Sequence, residues 1–191
     1  MTSDAQPSDE TAHHHTVVKR HLQFALMCLV CVGGCRSPRT TATEWTLKED
    51  GYGPIRAGMS LQEATRAGGR SFGDRLMGSD ECDYVQFADD TIQGSVHFMV
   101  IEGRIARTDV NDSTVRTSRG ARIGDTEQRV LELYSGRVTV TPHKYTDGHY
   151  LVVAPENGDS THALIFETDS GRVTTLRGGR QPEVAYTEGC S

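Results

Sequence analysis

The sequence predicts an α+β domain built as a tandem repeat of a short helix followed by antiparallel hairpins, the strands forming one sheet with the helices on one face. Two features at nearly one period carry this prediction. Gly58-Met59-Ser60 and Gly124-Asp125-Thr126 each open a helix, 66 residues apart, and the tight turns Glu102-Gly103 and Ser170-Gly171 stand 68 apart. A third observation is compositional: Gly numbers 20 while aromatics make up only 6%, a balance suited to many turns and short strands.

The first unit spans about residues 50–115. Gly53-Pro54-Ile55-Arg56 reads as a short extended segment, and Ser60 with Glu63 forms a capping box. In such a box the serine oxygen accepts from the N3 amide while the glutamate reaches back to the cap. The helix, about ten residues by this reading, stops at Gly68-Gly69. Cys82–Phe87 and Ser95–Ile101 then read as strands, and Glu102-Gly103 turns the chain into Arg104–Val110. The second unit spans about residues 116–191. Asp125 or Thr126 caps its helix, Val130, Leu131, Leu133 and Tyr134 supply the apolar stripe, and Gly136 ends it. Strands at 137–141 and 150–153 flank a turn at Asp147-Gly148, and strands at 163–167 and 172–176 flank Asp169-Ser170-Gly171. The folded domain is therefore placed at 48–191.

Ahead of it, Lys19 and Arg20 precede an apolar run, residues 22–35, that ends Val32-Gly33-Gly34-Cys35. The run is shorter than the ~20 residues a bilayer-spanning helix needs. A basic flank, an apolar core and small residues before a cleavage point make a signal peptide instead. With cysteine directly after the two glycines, the segment resembles the signal of a bacterial lipoprotein. An ordinary secretory signal is the near alternative, though it has no need of that cysteine. The resemblance implies that residues 1–34 are removed, that Cys35 carries the lipid, and that residues 35–47 form a flexible spacer. It also implies a place in the cell envelope. Position 36 is Arg and not Asp, which by the same analogy favours the outer membrane, facing the periplasm, over the inner membrane. The polar residues 1–18 make a long leader, and His13-His14-His15 would leave with it.

Of the five cysteines, Cys28 and Cys31 fall inside the apolar run and Cys35 is assigned to lipid. Cys82 and Cys190 remain. In an oxidising envelope they are expected to pair, pinning the C-terminal tail to the first half of the domain, the alternative being two unpaired buried thiols. Closing a loop of that length is worth up to about 4–5 kcal/mol in the chain-entropy description.

Ile55-Arg56-Ala57-Gly58-Met59-Ser60 opening a short helix ahead of an antiparallel sheet resembles the β-lactamase-inhibitor-protein fold, shared with small outer-membrane assembly lipoproteins of the SmpA/BamE type. Ile123-Gly124-Asp125-Thr126 fits that pattern in part, and Gly69–Asp74 ahead of Cys82 resembles a loop of the inhibitor. The resemblance covers about residues 50–180 and implies a β-lactamase-inhibitor-protein-like sheet. The inhibitors have a disulfide in each half, whereas one pair here must serve both, so the fold is carried over and the inhibitor's contact residues are not.

Pro142–Tyr150 is the stretch of the domain richest in chemistry. His143, Lys144, Tyr145, His149 and Tyr150 are the candidate binding residues, since Tyr and His offer flat amphipathic surface at low entropic cost. His143, Asp147 and His149 could be read as metal ligands, but their spacing matches no zinc pattern. The plainest alternative is a solvated hairpin end. His97, between Val96 and Phe98, reads as structural, and Arg104, Arg107, Arg116, Arg119 and Arg122, interleaved with acids, read as a solvated, self-paired face that could at most hold an anion. No nucleophile motif, phosphate loop or His-Glu-x-x-His is present, so no catalytic residue, cofactor or metal is predicted. A net charge of −6 disfavours nucleic acid as a partner. The expected function is that of a lipid-anchored, non-enzymatic binding module for an envelope or extracellular protein, inhibitor-like or serving envelope assembly. The competing expectation is a hydrolase or metal-dependent enzyme using the His143–His149 loop.

Overall fold

The computed structural model describes residues 45–90 and 95–190. Residues 1–34, Cys35 and most of the spacer lie outside the described residues. Among the described residues no helix is long and apolar enough to cross a membrane. The ring of Trp45 meets Tyr52 and Phe87, and Thr46 and Leu47 are buried. Residues 45–47, within the stretch read as spacer, thus belong to the fold.

Three two-residue strands, β1 (Leu47–Lys48), β2 (Gly51–Tyr52) and β3 (Ile55–Arg56), form a small antiparallel sheet that leads into helix α1 (Leu61–Gly68). Ser60 caps α1 with the reciprocal bonds of a capping box, its backbone N–H donating to Glu63 Oε2 at 2.8 Å. Strands β4 (Cys82–Val85), β5 (Val96–Ile101) and β6 (Arg104–Val110) follow. Then come α2 (Glu127–Leu133), capped by Thr126, and β7 (Val138–Pro142), β8 (His149–Val153), β9 (His162–Asp169) and β10 (Arg172–Arg180). The helices run 8 and 7 residues, shorter than the ten expected. A left-handed Gly69 stops the first, and Tyr134, two residues before Gly136, ends the second.

All seven longer strands lie in one antiparallel sheet, ordered β4-β5-β6-β10-β9-β8-β7. The fold is α+β, as the sequence predicts. At its centre β10 pairs with β6, joining residues far apart in sequence such as Arg177 and Asp109. Both helix starts dock on the sheet by the same bonds. The Gly58 amide donates to Ile105 O, the Ile105 amide to Met59 O, and Arg104 to Gly58 O. The Gly124 amide likewise donates to Val173 O, the Val173 amide to Asp125 O, and Arg172 to Gly124 O. Each of the two docked strands is entered through a tight turn with both central residues at positive φ, Glu102-Gly103 and Ser170-Gly171. That backbone matches the right-handed twist of the strands it joins, and glycine takes it without strain.

One face of the sheet, the inner face, is the core. Val96, Val110, Leu176, Phe166 and Leu151 run across it in register, and Ala64 of α1 and Val130 of α2 are buried in the same cluster. Phe87 packs between Phe72, Phe98 and Trp45. Glycine is demanded at Gly178 on β10, because a Cβ there would stand 2.1 Å from the Lys48 carbonyl oxygen as β1 crosses the sheet.

Candidate functional site

Strand alternation puts a different set of residues on the opposite, outer face. Across its middle run His97 on β5, Asp109 on β6 and Arg177 on β10 in direct register, with Tyr84, Met99 and Arg107 one row along. Glu167 of β9, opposite Thr175, and Tyr150 of β8 extend the polar surface toward β7. Arg107 and Arg177 are buried on this face, and a buried charge is expensive unless something partners it.

The C-terminal residues are the principal partner. After β10 the chain makes a turn of 3-10 helix (Glu183–Ala185) and lies back over the sheet, where Cys190 bonds to Cys82 at a Cα–Cα distance of 5.4 Å. The expected disulfide is present, closing a sequence separation of 108. Arg107 donates through Nη1 to the carbonyls of Glu183 (3.0 Å) and Tyr186 (2.6 Å), through Nη2 to the Tyr84 hydroxyl (2.9 Å), and through Nε to Asp109 (2.9 Å). Arg177 donates through Nε to Val184 O at 2.6 Å and through Nη1 to Glu167. Val184 packs onto Ala163 and Ile165 in a small second apolar cluster. Residues 183–190 thus form a strap held by two guanidinium groups and a disulfide. Arg107 is 4% exposed, which corrects the reading of the arginines as one solvated face. Its neighbours Arg104 and Arg119 do lie at the surface, paired with Glu63 and Glu156.

Beside the strap the outer face opens into a cavity of about 420 Å³. It is lined by His97, Asp109, Glu167 and Arg177 of the sheet, by Thr187 of the strap and by Leu76 and Met77. Those two apolar side chains are 49% and 55% exposed. Their loop is tied down by the Asp83 carboxylate, which accepts from the amides of Met77 (2.8 Å), Ser79 (3.0 Å) and Tyr84 (2.6 Å). Burial would raise the Asp83 carboxyl, but these amides outweigh it and hold it below the usual range. Across the cavity the two acids differ. Burial pushes the Asp109 carboxyl up in spite of Arg107 and Arg177. Burial acts on Glu167 in the same direction but is outweighed by Arg177, with hydrogen bonds from His143 and Thr175 assisting, so its carboxyl lies low. Tyr84 is half-buried, and its partial burial pushes its hydroxyl up.

The hairpin end at β7–β8 divides between the two faces. His143 stacks on Tyr150 at 4.4 Å and meets the edge of Tyr145. Its Nδ1 accepts from the amides of Tyr145 and Thr146, both at 3.1 Å, so the ring hydrogen is on Nε2, facing Glu167 at 3.4 Å. Lys144 and the Tyr145 hydroxyl both bind Glu188 of the strap, the lysine at 2.8 Å. His149 points the other way and bonds through Nδ1 to Glu127 at the start of α2, at 2.9 Å. The structure therefore brings His143, Lys144, Tyr145 and Tyr150 together beside the strap and separates His149 from them. Among the described residues no group of His, Cys, Asp or Glu is arranged to hold a metal ion.

Tyr84, Glu167 and Arg177 were not singled out by sequence reasoning, and Arg107 and Asp109 were read only as part of a solvated face that could at most hold an anion. A signal existed in alternation: Arg107 and Asp109 alternate with Thr108 and Val110, which places the two charges opposite Val110 once the core face is fixed, whereas Ile105 joins the core face only through the register shift between β5 and β6. Nothing in the sequence says that the tail returns to cover them.

The chain matches no protein family and no curated protein. Among solved structures it is similar to the uncharacterized protein yfeY from Escherichia coli. That likeness has a TM-score of 0.46 and 15% identity, covering 71% of this chain and 99% of the other.

Proposed function

We propose that the protein is a lipid-anchored component of a bacterial envelope that acts by binding, not by catalysis, through the outer face of its sheet. The observation that carries this reading is the open cavity beside the strap, rimmed by exposed Leu76 and Met77. A concave site with an apolar rim and a few convergent polar groups is the usual form of a binding pocket. The exposed Tyr145 and Tyr186 extend the same face with aromatic surface of the kind found at interfaces. The ring nitrogens of His143 are both committed to structural partners, which favours recognition over acid–base chemistry at that loop. The short apolar run that ends at Cys35 supports the envelope location and the lipid anchor. The repeated docking of Gly58–Ser60 on β6 and Gly124–Thr126 on β10 supports a tandem arrangement of the β-lactamase-inhibitor-protein kind, with units of about 50–115 and 116–191.

The test is a cross-linked pull-down from intact envelopes, comparing the native chain with Tyr145→Ala and with Met77→Ser. Retrieval of one specific protein, lost with either variant, is expected. Equal retrieval of a non-specific background by all three would overturn the reading.

A further inference from the structure

We propose that the outer-face cavity takes a compact zwitterion, a free amino acid or dipeptide with an apolar side chain. This rests on the binding reading above and names a ligand for the same site.

The strap accounts for only part of the charge on this face. Arg107 is consumed by it: its Nε, Nη1 and Nη2 all donate to Asp109, to Tyr84 or to strap carbonyls. Arg177 is not. Its Nε and Nη1 serve Val184 and Glu167, while its Nη2 makes no hydrogen bond among the described residues. Asp109 accepts from Arg107 through Oδ2 alone, leaving Oδ1 without a bond among the described residues. The His97 ring makes no hydrogen bond among the described residues either, and it meets the edge of Tyr84 at 6.3 Å. These three side chains form one cross-strand row in direct register, and all three line the cavity. Neighbouring strands are about 4.8 Å apart, so Asp109 and Arg177 put a carboxylate and a guanidinium on adjacent strands of one cavity wall.

The sign of the lining charges narrows the ligand class. A simple anion at Arg177 meets Asp109 and Glu167, and a simple cation at Asp109 meets two guanidinium groups. A molecule carrying both charges close together complements both. Its carboxylate accepts from Arg177 Nη2, its ammonium donates to Asp109 Oδ1, and its side chain lies against Leu76 and Met77. His97, beside Asp109, supplies a further polar contact. Charge-assisted bonds of this kind are the strong ones, and an unpaired charge in such a site is penalised, so both ends are read. The volume, about 420 Å³, is within the range of small-ligand sites. A longer peptide separates its terminal charges and loses the match.

The experiment is calorimetric titration of the full chain with leucine, methionine and dileucine, beside N-acetyl-leucine and leucine methyl ester, which each lack one charge. Saturable binding of at least one zwitterion is expected, weakened about tenfold or more by capping either end. Asp109→Asn should shrink the gap between leucine and N-acetyl-leucine. Met77→Ser, at an exposed position, should weaken leucine more than glycine. If Asp109→Asn fails to fold, the capped ligands and Met77→Ser still decide. Absence of saturable binding by every zwitterion, or equal binding of capped and uncapped forms, overturns the proposal. A specific partner retrieved from envelopes in that event would preserve the binding reading while discarding this ligand class.

Discussion

On its inner face the seven-stranded sheet presents Val96, Val110, Leu176, Phe166 and Leu151 in one row, while the adjacent row on its outer face reads His97, Asp109, Arg177, Ile165 and Val152. The same five strands bury both rows in large part, yet by different means. The inner face is closed by helices and a small sheet that contribute apolar side chains. The outer face is closed by a strap whose backbone carbonyls are caught by arginines. Apolar packing is non-directional and adds with area. Guanidinium-to-carbonyl bonding is directional and leaves unmatched groups wherever the cover stops. The cavity lies at that boundary, so the difference between the faces teaches where a site can exist.

The largest expected effect tests the inner face. Phe166 is fully buried, and Phe166→Ala should cost about 3–5 kcal/mol of unfolding free energy, the sum of lost transfer energy and a residual cavity. Urea denaturation followed by the fluorescence of Trp45 measures it. On the outer face, Arg107→Met should cost about 3 kcal/mol or more, because it strands Asp109 and releases the strap carbonyls. The double change Arg107→Met with Asp109→Leu should recover much of that loss, since an apolar pair of similar volume can replace a buried ion pair. Recovery would show that the charges on this face are not there for stability. Failure to recover would mean that the strap carbonyls, and not Asp109, are the chief dependants of Arg107.

Next in size is the covalent tie. Cys82→Ser with Cys190→Ser should lower stability by about 2–4 kcal/mol, read in the same denaturation experiment. Hydrogen exchange should sharpen the contrast. Amides of the strap should lose protection while those of β9 and α2 keep theirs, because the inner face does not depend on the strap. A smaller effect, about 1 kcal/mol, is expected for Ser60→Ala at the cap of α1, where the bonds of the hydroxyl with the Glu63 amide and carboxylate would go and the backbone N–H of residue 60 would keep its bond to Glu63.

The inner face was the more legible in sequence, for a physical reason. Local devices announce themselves locally: the Ser60–Glu63 box, the Glu102-Gly103 and Ser170-Gly171 turns and the alternating strands are all where the residues place them. Cys82 and Cys190 could be paired because few other cysteines competed. The pairing of β6 with β10 is a long-range choice that leaves no periodic trace, and Arg107 reads as solvated in the sequence because the polar residues 183–190 do not read as a cover. The candidate loop was half legible. Alternation along β8 already puts His149 and Tyr150 on opposite faces, but the contact of Lys144 and Tyr145 with Glu188 depends on where the strap runs.

The smallest expected effect is one of slope, in acid. Glu167 has its folded-state carboxyl held below the ordinary value of 4.5, so its contribution is fully present above that pH. As the pH falls further, the unfolded chain takes up the proton first, and stability is lost down through the folded value. Asp109 runs oppositely. Its folded carboxyl lies above the ordinary 3.8, so the folded state takes up the proton first, and stability rises as the pH falls through that folded value toward 3.8. The two acids on one face therefore partly offset each other in mild acid. Glu167→Gln should flatten the loss below pH 4.5, whereas Asp109→Asn should remove the gain and steepen the net acid decline. Stability measured by urea denaturation at a series of pH values from neutrality down resolves both slopes. If the two variants changed the acid profile in the same sense, the outer face would not hold one acid stabilised and one acid strained.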